Sequence, residues 1–164
     1  MKIAIFSQDI NQDVDNVLQS ILVHEEASNC NFFIHDNLRQ CKINANNFSL
    51  FENHENLNES FDLFISIGGD GTFLRSIEFV RNLNLPIIGI NTGRLGFLAT
   101  TKKENLEKSL TKILKKKFSV EKRSLLKVFT ENNCIPMDSF PYALNEISVV
   151  RKDTTSMINV KTSL

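Results

Sequence analysis

Cysteine is scarce in this chain of 164 residues, and what there is does not pair. Cys30, Cys41 and Cys134 make an odd number with no C-x-x-C spacing. That argues against a disulfide framework and against a zinc site, and it fits a reducing compartment. Histidine is equally sparse, with His24, His35 and His54 alone. The stretch His24-Glu25-Glu26-Ala27-Ser28 begins like a zincin helix but carries serine where the second histidine is required. Neither sign of charge dominates, because 19 lysines and arginines balance 19 aspartates and glutamates. A net charge of zero argues against broad attraction to nucleic acid or to an anionic membrane. No apolar run approaches the roughly 20 residues of a membrane span. Lys2 is followed by only four apolar residues, Ile3-Ala4-Ile5-Phe6, before Ser7, Gln8 and Asp9, so no secretory leader is recognisable. The expectation is a cytoplasmic protein without a nucleic-acid or membrane partner.

What is present is enough for a core, since 41% of the residues are hydrophobic. Lysine (13) outnumbers arginine (6) and asparagine is frequent, a bias attributed to an AT-rich genome. Ile3-Ala4-Ile5-Phe6 reads as a buried parallel strand. Val14, Val17, Leu18, Ile21 and Leu22 follow at the spacing of one helical face, and residues 31–35 suit a second short strand. Residues 36–60 are rich in asparagine, without a clear period, and are expected to be mostly loop. A further strand, Asp62-Leu63-Phe64-Ile65-Ser66-Ile67, runs into Gly68-Gly69-Asp70-Gly71-Thr72, after which Phe73, Leu74, Ile77 and Val80 outline a helix. Pro86 precedes another strand, Ile87-Ile88-Gly89-Ile90. Thr101 and Glu104 have the spacing of a capping box, opening a helix with Leu106, Leu110, Ile113 and Leu114 on one face. Lys115, Lys116 and Lys117 close that helix as a solvated end favoured by its dipole. This alternation predicts an α/β fold, a parallel-sheet Rossmann-like domain over residues 1–118. Strands expected at 125–130, 143–151 and 157–160, with no helix between them, predict the beginning of a β-rich (β-sandwich) domain over 119–164, incomplete at residue 164.

Chemistry concentrates in Gly68-Gly69-Asp70-Gly71-Thr72. Three glycines in four residues permit positive φ and let an anionic ligand approach the backbone, and the amides at the following helix start suit phosphate oxygens. A carboxylate in such a loop makes sense if it accepts a proton from an attacking hydroxyl. The alternative is a tight turn in which Asp70 is an ordinary turn or cap residue. The loop is neither a P-loop nor a G-x-G-x-x-G turn.

The GGDGT turn is similar to that of NAD kinases, of diacylglycerol and sphingosine kinases and, more distantly, of 6-phosphofructokinases. Gly89-Ile90-Asn91-Thr92-Gly93-Arg94-Leu95-Gly96-Phe97-Leu98 resembles the NAD kinase segment G-I-N-x-G-x-L-G-F-L rather than the P-x-G-T-G-N-D of lipid kinases. Glu121-Lys122-Arg123-Ser124-Leu125-Leu126 resembles the start of that family's second domain, and Ala143-Leu144-Asn145-Glu146-Ile147 its asparagine–glutamate motif. The resemblance implies an enzyme that transfers the γ-phosphate of ATP to the 2′-hydroxyl of the adenosine ribose of NAD. It implies Asp70 as general base, and Gly68, Gly69, Gly71 and Thr72 as the phosphate loop. It further implies that Asp70, Gly71, Arg75, Phe97, Asn145, Glu146 and Ser156 line the NAD site. On general grounds Arg75 could equally be a solvated helix residue, Phe97 a core residue, and Asn145-Glu146 a polar strand end. The phosphoryl donor could be ATP, another nucleoside triphosphate or polyphosphate, and a divalent metal such as magnesium is implied by phosphoryl transfer. The family forms dimers and tetramers through its β-rich domain, so a homo-oligomer is expected of the full-length protein. No counterpart of the family's T-P-T-G-S-T-A-Y segment occurs, so the chain is expected to be truncated. Two alternatives stay open, a lipid or sphingoid kinase and a catalytically silent nucleotide-binding module.

Overall fold

The computed structural model describes residues 1–45, 47–93, 96–129, 140–151 and 157–162. The chain falls into two compact units, Met1–Glu121 and Lys122–Leu164.

In the first unit six strands form one sheet: β1 (Lys2–Phe6), β2 (Asn31–His35), β3 (Phe48–Phe51), β4 (Leu63–Ile67), β5 (Ile87–Asn91) and β6 (Thr101–Lys102). Their order is β3-β2-β1-β4-β5-β6, and every pairing is parallel. A parallel sheet is covered on both faces, which is why its strands read as continuous apolar runs. All five residues of β4 are buried. Alternation along the strands still sorts side chains between the faces. Ile3, Ile5, Leu63, Ile65 and Ile67 pack with helices α1 (Gln12–Val23) and α3 (Leu106–Leu114). Ala4, Phe6 and Phe64 pack on the opposite side with Val80 of helix α2 (Asp70–Val80). The result is the doubly wound, Rossmann-like arrangement that the strand–helix rhythm predicts.

The helices follow their apolar spacing closely on one face of the sheet. Val14, Val17, Leu18 and Ile21 are the buried side of α1, whose N-terminus is capped by Asn11: its Oδ1 accepts from the amides of Asp13 and Val14, each at 3.0 Å. Leu106, Leu110, Ile113 and Leu114 are the buried side of α3. No helix among the described residues is long and apolar enough to cross a membrane.

Elsewhere the structure corrects the expectation. The loop expected over residues 36–60 is interrupted, for the stretch also holds β3 and short 3₁₀ helices at Asp36–Gln40 and His54–Asn56. The cause is Phe51, fully buried against the rings of His35, Phe64 and Phe79, a set of partners remote in sequence. In α2 the buried residues are Thr72, Ser76 and Val80, while Phe73, Leu74 and Ile77 are half-buried. Small side chains face inward there, and Ser76 Oγ donates to the Thr72 carbonyl at 3.0 Å. The Thr101–Glu104 capping box does not form. Thr101 is drawn into β6 by pairing with Ile90, and the 3₁₀ turn Lys103–Asn105 starts after Lys102 with no side-chain cap. Among the described residues of the second unit, the three expected strands reduce to one antiparallel pair, β7 (Leu126–Lys127) with β8 (Tyr142–Ala143). Residues 144–151 and 157–160 are not strands where they are described. A strand needs a neighbour for its amides and carbonyls, and among the described residues of this unit only that pair supplies one another.

Candidate active site

The sheet order reverses between β1 and β4, with successive strands leading away to either side. At such a point the loops leaving the carboxyl ends of the strands diverge and open a crevice. The loop that leaves β4 here is Gly68-Gly69, and all six glycines of the chain lie between residues 68 and 96.

Gly68 has φ of 148°, a conformation side chains rarely adopt, and a Cβ there would overlap the Thr72 side chain. Its N–H donates to the Ile90 carbonyl at 2.9 Å, tying the turn to β5. Gly69 occupies the N-cap of α2 without any side-chain cap, unlike Asn11 at α1. A Cβ at Gly69 or Gly71 would meet nothing within 4 Å, so the start of the helix faces open space. Its first-turn amides therefore point where an anionic oxygen could reach them. Thr72 is buried beneath Gly68, so its side chain supports the turn from inside.

Asp70, the first residue of α2, has both carboxylate oxygens engaged. Oδ2 accepts from the Phe97 amide at 2.8 Å, and Oδ1 accepts from the amides of Leu98 at 2.9 Å and Ala99 at 3.0 Å. The amides of Ala99, Phe97 and Leu98 hold the carboxyl below the usual carboxylate range, outweighing partial burial, which acts the other way. The turn that supplies these amides is itself braced. Buried Asn91, at the end of β5, donates Nδ2 to the Ala99 carbonyl at 3.3 Å and accepts from the Gly93 amide at 2.8 Å. Gly89 lets the same segment lie directly on β5, since a Cβ there would sit 2.7 Å from Ala99 Cα. At Gly96 a Cβ would overlap the Asp70 carboxylate.

Gly68, Gly69, Asp70, Gly71, Thr72 and Phe97 are thus gathered beyond the carboxyl ends of β4 and β5. Phe97 is no core residue, for 93% of it is exposed. Arg75 lies on the exposed side of α2, one turn beyond Gly71. Asn145 and Glu146 are exposed residues of the second unit, just after β8. Ser156 lies outside the described residues, as do Arg94 and Leu95. Sequence reasoning missed Asn91, Gly96 and the amides of residues 97–99 as parts of the site. Backbone donors have no residue signature, and the signal available was the glycine spacing at 89, 93 and 96.

Comparison with known proteins bears on this geometry. A family profile described as the ATP-NAD kinase N-terminal domain matches residues 11–118. The NAD kinase of Flavobacterium psychrophilum is 41% identical over 168 residues, covering 100% of this chain and 57% of that protein. The NAD kinase of Christiangramia forsetii is 44% identical over 169 residues, again covering 100% of this chain and 57% of the relative. The chain therefore spans 57% of the length of these curated relatives. Among solved structures, yeast NADH kinase complexed with NADH superposes with a TM-score of 0.58 at 15% identity. That match covers 77% of this chain and 40% of the yeast chain, and it shows a shared fold.

Proposed function

The chain belongs to the ATP-NAD kinase family, and on that premise we propose that the whole protein is an NAD kinase, moving the γ-phosphate of ATP to the 2′-hydroxyl of the adenosine ribose of NAD. The observation that carries this reading is the carboxylate of Asp70 at the mouth of an uncapped helix, beside the point where the sheet order reverses. The open space at Gly69 and Gly71, at the start of α2, suits phosphate oxygens, and an anionic side chain next to it suits a proton acceptor rather than a phosphate ligand. Phosphoryl transfer asks the protein mainly for positioning and charge stabilisation, which such a turn provides.

In this reading Asp70 takes the proton of the ribose hydroxyl as that oxygen attacks phosphorus. Gly68, Gly69, Gly71 and Thr72 form the phosphate loop, and Arg75, one helical turn on, reaches toward phosphate oxygens. Exposed Phe97 offers a flat apolar face to the adenine. Asn145 and Glu146 supply an amide for a base edge and a carboxylate for ribose hydroxyls. Ser156 belongs to the same proposal. ATP is the donor in this reading, and the full-length protein acts in the cytoplasm as a homo-oligomer.

Among the described residues, no three His, Cys, Asp or Glu side chains converge to hold a metal ion. Both oxygens of Asp70 are already occupied by amides. A magnesium ion would therefore be held through nucleotide phosphates, where it offsets the charge that develops during transfer.

The reading is tested by NADP formation from NAD, ATP and magnesium, detected with an NADP-specific dehydrogenase. The 164-residue chain is compared with the same chain extended to the length of its relatives. Asp70→Asn in the active form should lower kcat by about 10²–10⁴-fold, the usual contribution of a positioned base, and leave NAD binding by calorimetry within about threefold. Turnover at the wild-type rate in that variant would remove Asp70 from the mechanism. No NADP from either length would remove the kinase reading itself.

A further inference from the structure

A general base has to be free to gain a proton, yet Asp70 already accepts three backbone hydrogen bonds. Every one of these donors favours the ionised carboxylate and weakens it as a base. The three are not equivalent. Oδ1 takes two amides, from Leu98 and from Ala99, and Ala99 is fully buried, pinned by Asn91 and laid against Gly89. Oδ2 takes one, from Phe97, a residue that is 93% exposed. Gly96, immediately before, leaves the space that the carboxylate fills. One oxygen is anchored and the other is closed by a single donor on an exposed residue.

We propose that residues 97–99 form a latch on Asp70 that aims its carboxylate through the fixed Oδ1 contacts and opens at the Phe97 amide when the acceptor hydroxyl docks on Oδ2. Gly89, Asn91 and Gly96 are the positioning residues of this latch. The proposal rests on the kinase reading and deepens it. The arriving O–H takes the place of the Phe97 N–H as the donor to Oδ2. As the hydroxyl oxygen bonds to the γ-phosphorus of ATP, the bond from phosphorus to the departing ADP oxygen breaks, the O–H bond breaks, and its proton stays on Oδ2. Loss of the Phe97 contact raises the basicity of Asp70 only once a substrate hydroxyl is in place. Among the described residues, the groups that shift Asp70 are the three amides and its own burial.

The first arm of the test needs no activity. Amide hydrogen exchange of the 164-residue chain is followed at residues 97–99, with the β4 amides as a control for folding. Asp70→Ala should speed exchange at 97–99 by about tenfold, the scale of one lost hydrogen bond, and leave β4 unchanged. Gly96→Ala should do the same, because its methyl displaces the carboxylate. The double variant should exchange no faster than either single one, since the three atoms nearest that methyl all belong to the carboxylate that Asp70→Ala removes. Equal exchange at 97–99 in the wild type and Asp70→Ala would overturn the latch. So would additive effects in the double variant.

The second arm uses the extended chain in the NADP assay. In Gly96→Ala the acidic limb of the kcat/KM profile should move to higher pH, toward the ordinary aspartate range, with kcat reduced more than the KM for NAD changes. NADP formation with an unmoved acidic limb in that variant would overturn the link to proton transfer. Protected amides in a chain of either length that makes no NADP would retain the latch as a structural feature and sink the kinase reading on which its function rests.

Discussion

Gly68 and Gly96 serve the site in different ways, and the difference predicts different variants. Gly96 is needed for space, because its missing side chain is where the Asp70 carboxylate sits. Gly68 is needed for conformation as well, since φ of 148° is strained for any residue with a Cβ and that Cβ would also strike Thr72. Gly68→Ala should therefore lower stability by about 1–3 kcal/mol, the usual cost of such strain, with the loss visible as a lower urea midpoint. An unchanged midpoint would show that the turn relaxes without cost. By contrast, Gly71→Ala should leave the midpoint nearly unchanged, because a Cβ there meets open space.

At the scale of elements, Asp62 joins three of them just before β4. Its Oδ1 pairs with Lys116 Nζ at 2.7 Å beyond the end of α3, and its Oδ2 accepts from the Lys2 amide of β1 at 2.8 Å. The Lys116 hydrogen bond first, and then the Lys2 amide, hold this carboxyl below its ordinary value. A group whose folded pKa is depressed binds its proton more readily in the unfolded chain. Its contribution is complete above the unfolded value of about 4 and disappears as pH falls through that value and then the lower folded one. Lys116→Met should cost less than about 1 kcal/mol at pH 7, because the pair is partly exposed. It should also flatten the decline in urea midpoint between pH 6 and pH 3. An acid limb as steep as that of the wild type would place the acid sensitivity elsewhere.

For the whole molecule, the two units differ in how they bury apolar surface. Both core clusters lie wholly within Met1–Glu121. In the second unit Phe129 is 78% exposed, Val150 78% and Met157 97%. Large apolar groups left in water drive association and dye binding. A chain ending at Glu121 should keep the thermal midpoint of the 164-residue chain within a few degrees while binding much less of a hydrophobic fluorescent dye. If that shorter chain unfolds, the first unit depends on the second for stability; if it binds as much dye, the exposed surface lies elsewhere.

Short-range physics was enough for much of this. Apolar runs such as Ile3-Ala4-Ile5-Phe6 suit buried strands, the spacing of Leu106, Leu110, Ile113 and Leu114 suits one helical face, and Gly68-Gly69-Asp70-Gly71-Thr72 lies where strand turns to helix. These depend on residues within one or two turns of each other, so the sequence alone determined them. Other features depend on partners distant along the chain and were decided by the tertiary structure. Phe51 makes β3 a strand only because the rings of His35, Phe64 and Phe79 surround it. Thr101 leaves its capping box because Ile90 offers it a strand partner. Asp70 is held by amides 27 to 29 residues away, presented by backbone whose donors are the same whatever the side chains. Asp70 was legible in the sequence as the candidate, and the geometry that restrains it exists only when β5 brings the 97–99 turn against α2.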